Sequence, residues 1–216
     1  MDIKQVKRIM GGNFIGPDEL KKISSKLNIA DPHKMEDLLP EIPFTLSYLE
    51  KVSKDYILIL GIPEDKSGKK LTINRMRVIF GQNPAKKEPC FYNQDWYLEE
   101  KFAKDVSLKF KWYLIRKIVI KNSRGKNPED IHSRLKEKEN FPLAVLTVFV
   151  FFSYYFLNKG QILWKDNFIW CSDKDKNGDR IYTGRYLDPK RINKDGFNIH
   201  RHLSIRPCYG LAPQII

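Results

Sequence analysis

With 216 residues, 42% hydrophobic and 12% aromatic, the chain is long enough to bury a core, and wholesale disorder is excluded. Its 39 Lys and Arg against 26 Asp and Glu leave a formal charge of +13, which raises the question of a polyanionic partner, but most of the excess is Lys scattered among acids (Lys21, Lys22, Lys51, Lys54, Lys101, Lys104), the pattern of solvated helix faces. Three cysteines, Cys90, Cys171 and Cys208, are too few and too dispersed for a disulfide framework or a four-ligand zinc site.

Met1-Asp2-Ile3-Lys4 runs into Gly11-Gly12 before any apolar stretch develops, so no secretory signal is expected. Cytoplasmic synthesis follows, with surface display by another route left open. Gly16-Pro17-Asp18-Glu19 predicts a helix to about Leu27, with Pro at its first position and acids in its first turn. Asp31-Pro32, Pro40 and Pro43 then punctuate the chain. Residues 1–43 are therefore expected to form an N-terminal helical extension, and residues 44–216 the main domain. Thr45 is placed to cap a helix reaching about Lys54, and residues 56–60 are an apolar run of strand length. Residues 71–81 fit either a strand or a helix, and 82–89 a loop. Trp96, Tyr97, Phe102 and Ala103 have helical spacing over 96–104, residues 112–120 are rich in β-formers, and 128–138 predict a polar, exposed helix.

Residues 141–157 carry no charge. Their length lies at the lower limit for crossing a membrane, and Pro142, Thr147, Ser153 and two tyrosines dilute them. The expectation is a helix buried within the protein, opened by Asn140-Phe141-Pro142 and closed by Asn158-Lys159-Gly160, with no transmembrane span. Short strands are predicted after it at 162–165, 168–172, 179–186 and 197–206. The last alternates, with Phe197, Ile199, Leu203 and Ile205 on one parity and Asn198, His200, His202 and Ser204 on the other. Helices and strands segregated in this way argue for an α+β fold with a mixed or antiparallel sheet.

No motif specifies a reaction or a cofactor, and a non-enzymatic role is expected. Asp173-Lys174-Asp175-Lys176-Asn177-Gly178-Asp179 matches the first half of a calcium loop, but Gly184 stands where the bidentate Glu belongs. A hairpin turn on Asn177-Gly178 explains the same residues. His200 and His202 share a strand parity without a convincing third ligand, and Cys171, between Trp170 and Ser172, fits a small buried residue better than a nucleophile.

Ile169-Trp170-Cys171-Ser172-Asp173, Gly178-Asp179-Arg180 with Tyr182, Gly196-Phe197 and Leu203-Ser204-Ile205-Arg206-Pro207 together resemble the C-type lectin fold in its bacterial and archaeal, lectin-unrelated versions. The stretches 91–97 and 112–116 look like a second shared block, so the resemblance covers roughly the last 130 residues. It implies a C-type lectin-like domain acting as the variable protein of a diversity-generating retroelement. In such proteins adenine mutagenesis turns AAY codons into NNY, which never encodes Trp. The resemblance thus implies Trp164 and Trp170 as fixed scaffold. It implies Asp166, Asn167, Tyr182, Arg185, Tyr186, Asn198, His200 and His202 as exposed, diversified ligand contacts within about 160–210, facing an unknown macromolecular ligand expected to be a protein. No tripeptide of acidic or amide ligands beside Pro, as in calcium-dependent lectins, is present. The alternative is a nucleic-acid-associated protein using the densest basic run: Lys109, Lys111, Arg116, Lys117, Lys121, Arg124 and Lys126. Base stacking there would require Trp112 and Tyr113 to be exposed.

Overall fold

The α+β architecture is built on two sheets and one apolar helix. The structure, a computed structural model, describes residues 2–35, 39–82, 89–186, 196–201 and 204–216. In chain order its elements are α1 (Ile3–Met10), β1 (Phe14–Ile15), α2 (Pro17–Leu27), α3 (Leu46–Val52), β2 (Tyr56–Leu60), α4 (Ile73–Phe80), α5 (Lys101–Lys104) and β3 (Trp112–Arg116). There follow α6 (Pro128–His132), β4 (Glu139–Asn140), α7 (Ala144–Leu157), β5 (Phe168–Lys174), β6 (Arg180–Tyr186), β7 (Gly196–Arg201), β8 (Tyr209–Gly210) and β9 (Gln214–Ile215). One mixed sheet has the order β1-β2-β3-β9-β4, the other β7-β6-β5-β8.

The N-terminal segment expected as an extension is part of the main body. Phe14 and Ile15 pair in parallel with Leu58 and Ile59, and Val6, Met10, Leu20, Ile23 and Leu27 join the same buried cluster as β2 and α7. Pro17 and the first-turn acids start α2 as anticipated, and Glu19 accepts a hydrogen bond from the Gly16 N–H. The Thr45 hydroxyl likewise caps α3 by accepting from the Tyr48 N–H. Residues 71–81, ambiguous by pattern, form α4 behind a Thr72 cap. The loop expected at 82–89 falls largely outside the described residues. Helix is confined to Lys101–Lys104 and Pro128–His132 in the two segments where longer helices were expected.

Apolar side chains cover α7 all round, so it is enclosed by α2, α4 and α5 on some sides and by β5 and β6 on another. Phe152 stacks on Phe80 with ring centroids 3.9 Å apart, and Phe151 packs on Phe197 at 4.6 Å. Among the described residues no helix is long and apolar enough to cross a membrane. The helix begins at Ala144 rather than at Phe141 because its cap comes from far along the chain: the Asp173 carboxylate accepts the Ala144 N–H at 2.6 Å. Burial pushes the Asp173 carboxyl up, opposed by that N–H and by Arg180. A folded-state pKa above the unfolded one means that stability contributed by the protonated form is lost as pH rises through the raised value. Asp173→Ala removes the acceptor of the Ala144 N–H and is expected to cost about 1 kcal/mol. Asp173→Asn, which keeps an acceptor and discards the charge, should be at least as stable as the parent at pH 7. Denaturant unfolding of the two variants at pH 7 and pH 4 checks this, and equal losses for Asn and Ala would remove the capping role.

Two turns repeat one device. In Asp65-Lys66-Ser67-Gly68-Lys69 and in Asp175-Lys176-Asn177-Gly178-Asp179 the leading Asp is buried, at 0% and 6% exposure. One carboxylate oxygen accepts the N–H groups two and four residues on, at 2.7 and 3.1 Å in the first turn and 2.9 Å for both in the second. The other oxygen takes an arginine, Arg75 at 2.5 Å or Arg201 at 2.6 Å. The glycines sit at φ +75° and +88°, where a side chain would be strained. The partial calcium-loop match is thus a hairpin turn joining β5 to β6, its central carboxylate turned inward.

Candidate functional site

Strands β5, β6 and β7 are antiparallel neighbours, Trp170 opposite Tyr182 and Tyr182 opposite His200. Alternation places Ile169, Cys171, Ile181, Thr183, Phe197 and Ile199 on the face toward α7. There the Thr147 and Thr183 hydroxyls meet at 2.8 Å, with the Cys171 thiol beside them. Cys171 is fully buried, and desolvation pushes its thiol far above the usual range.

The opposite face was expected to be open, and it is not. Trp170, Tyr182 and Tyr209 form an aromatic cluster closed over by Ile131, Phe141 and Leu211. Tyr182, with 2% exposure, exchanges a hydroxyl hydrogen bond with Tyr209 at 3.1 Å. Asn198 and Arg185 are also buried. The expectation that Tyr182, Arg185 and Asn198 face solvent is therefore corrected: all three are buried, Tyr182 and Asn198 on this face and Arg185, by alternation with Ile181 and Thr183, on the face toward α7. His200 is half-buried, its ring stacked on Tyr182 at 5.5 Å. Tyr186 ends β6 with its side chain outside the described atoms, and His202 lies outside the described residues.

Trp164 and Trp170 are buried at 5% and 3% exposure. Residues 162–165, expected as a strand, form a turn instead, because Trp164 and Asp166 adopt φ of +53° and +60°. The Trp164 indole N–H donates to the Arg116 carbonyl at 3.2 Å. This contact anchors the turn and leaves Lys165 and Asp166 exposed and Asn167 half-buried.

The basic run 109–126 is split by β3. Lys109 and Lys111 stand before the strand, Arg116 ends it and Lys117 to Lys126 lie beyond, roughly 13 Å away at the usual rise per residue. Trp112 and Tyr113 are buried, with 3% and 7% exposure, so no aromatic stacking platform lies between them. The distal part instead gathers partners from elsewhere. Ile120 and Gly125 donate to the carbonyls of Leu211 and Tyr209, the Ser123 hydroxyl accepts the Leu211 N–H at 2.8 Å, and Arg124 donates to the Asn167 side chain. A Cβ on Gly125 would stand 3.7 Å from the Pro207 Cα, and the Tyr209 N–H donates to the Arg206 carbonyl, so 204–207 lies against 124–126. Residues 116–126, 164–167 and 204–207 thus form one surface, with Asp166 the only acid in those segments.

On it Arg116 leans toward Asp55 at 3.8 Å and Lys117 donates to Asn13 at 2.8 Å. Among the described residues Lys121, Arg124, Lys126, Lys165 and Arg206 have no ion pair. Lys165 and Arg206 were not part of the basic run legible in the sequence. Each is an isolated cation in the chain, and only the folding of 164–167 and 204–207 against 121–126 adds them. Among the described residues no group of three His, Cys, Asp or Glu is arranged to hold a metal ion.

The class defined so far is an α+β protein with a basic surface patch beside a closed aromatic sheet. No protein-family model matches the chain, and no curated protein or solved structure matches it significantly.

Proposed function

We propose that the chain is a non-catalytic binding protein that engages a polyanionic macromolecule, with nucleic acid the leading candidate, through the face made by Lys121, Arg124, Lys126, Lys165 and Arg206. The observation that carries this reading is the convergence of these five cations from three segments with a single acid among them. Unpaired cations on one face release counterions from a polyanion, so binding to duplex DNA should weaken with salt at a log–log slope of about −4. Lys121→Glu/Arg124→Glu/Lys126→Glu should bind at least about 100-fold more weakly and halve that slope. Lys22→Glu/Lys69→Glu, matched in kind and placed on exposed positions elsewhere, should change affinity only slightly. Salt-insensitive binding, or equal losses from both sets, would remove the proposal.

A second reading, a C-type lectin-like variable protein diversified by a retroelement, is favoured at one place. Asp166 is exposed and Asn167 half-exposed on a turn whose Trp164 is held beneath. The α+β organisation, with an antiparallel sheet packed on α7, is compatible with that fold. A near-copy of codons 160–210 beside a reverse transcriptase gene, differing chiefly at adenines, would support it, and the absence of such a copy would end it.

A further inference from the structure

A cavity of about 580 Å³ opens at the start of β3, the end opposite the basic face, between the segment leading into α3 and the strands β3 and β9. Its volume falls within the several-hundred-Å³ range of small-molecule sites. The strap before α3 is tied across β3 by the Trp112 indole, which donates to the Pro40 carbonyl at 2.8 Å. The Thr45 cap then fixes the start of the helix, holding the Phe44 and Tyr48 rings nearly parallel, 28° apart with centroids 6.3 Å from one another. Both rings are half-buried, so each leaves apolar surface at the cavity wall. Lys111 and Lys138 both line it, one preceding β3 and the other bound through its carbonyl to the Ile216 N–H. Both lysines are exposed and neither has an ion pair among the described residues. Glu41 is the acidic side chain on the lining.

We infer that this cavity is a binding site for a small planar aromatic molecule carrying an anionic group, its ring seated against Phe44 and Tyr48 and its charge met by Lys111 and Lys138. Two stacked half-buried rings fix a flat slot that favours an aromatic body over a branched aliphatic one. On the lining two lysines stand against one side-chain carboxylate, that of Glu41. Glu139, whose charge reaches Tyr48, lies off the lining with its oxygens taken by the Lys136 N–H and the Tyr56 hydroxyl, so the lining itself favours an anion over a cation of the same shape. The site is independent of the basic face and stands or falls separately from it.

The probe is 1-naphthalenesulfonate, titrated into the full chain by calorimetry, with 1-naphthylmethylammonium as the cation carrying the same ring system. The anion is expected to bind with Kd on the order of 0.1 mM, reasonable for so few atoms, and the cation at least tenfold more weakly. Lys111→Glu/Lys138→Glu should lower anion affinity about tenfold or more, and Tyr48→Ala should lower it for both probes. Lys22→Glu/Lys69→Glu should leave it unchanged. Equal affinity for the two probes, no detectable binding, or identical losses from the two lysine pairs would each overturn the inference.

Discussion

Replacing Asp65 by Ala is expected to lower stability at neutral pH by about 3 kcal/mol, equivalent to a fall in Tm of about 10 °C for a chain of this size. The side chain is wholly buried and accepts from the Ser67 and Lys69 N–H groups, the Ser67 hydroxyl and Arg75. Without it the turn leaves those donors facing an apolar gap. Burial by itself would raise the carboxyl's pKa, but the hydrogen bonds from Ser67, Lys69 and Arg75 outweigh it and bring the value to about 2. Because the folded-state pKa is depressed below the usual aspartate value, the contribution is fully present above the unfolded pKa. It is lost as pH falls from near 4 toward 2, and the shift corresponds to about 2 kcal/mol. Urea unfolding of parent and variant at pH 7, 4 and 2.5 should show the gap narrowing with acid. A gap that stays constant would mean that the carboxylate's charge has no part in holding the turn.

Gly184→Ala is expected to be at least as damaging, costing about 3 kcal/mol or more. A Cβ there would stand 2.3 Å from the Asn167 carbonyl oxygen and 2.7 Å from the Phe168 ring. The first obstacle is backbone, so the turn 164–167 must move rather than a flexible side chain. That turn carries Lys165 and the Asn167 side chain that receives Arg124, so the substitution should also weaken polyanion binding under conditions where the variant remains folded. Gly12→Ala, where a Cβ would meet nothing within 4 Å, should change stability by less than about 0.5 kcal/mol. Circular dichroism melts and salt-dependent DNA binding of the two variants separate these outcomes. A Gly184→Ala protein with the parent's Tm would refute the close approach.

Elements governed by local chemistry were legible in the sequence. Pro17 with its following acids, the Thr45 cap, the apolar run of β2 and the Asn177-Gly178 hairpin all carry their instructions within a few residues. What escaped depends on distant partners. The start of α7 is set by Asp173, 29 residues downstream. The alternation in β7 correctly separates two faces, yet alternation says nothing about what else packs there, and the aromatic layer around Tyr182 is completed by Ile131 and Phe141 from another part of the chain. The basic run was visible as composition, but the linear stretch is neither continuous in space nor complete, since β3 divides it and Lys165 and Arg206 complete its far end. The shared Asp-Lys-Ser/Asn-Gly turn was written twice in the chain, at 65 and at 175, and its second copy suggested a calcium loop. Only the inward carboxylates and their arginines make the two recognisable as one motif.

The position of β9 between β3 and β4 makes the larger sheet depend on the end of the sequence. Leu114 pairs with Ile215, and Glu139 pairs with the same residue from the other side. Two strands of the first sheet therefore stay apart until residues about a hundred positions beyond β3 arrive, a closure that carries a large entropy cost before any contact repays it. The β5–β6 hairpin needs only its own turn and forms from neighbouring residues. The larger sheet is thus closed by its most distant residues, with one two-residue strand joining two edges that have no other bond to each other among the described residues, while the smaller sheet is built around a hairpin of neighbours.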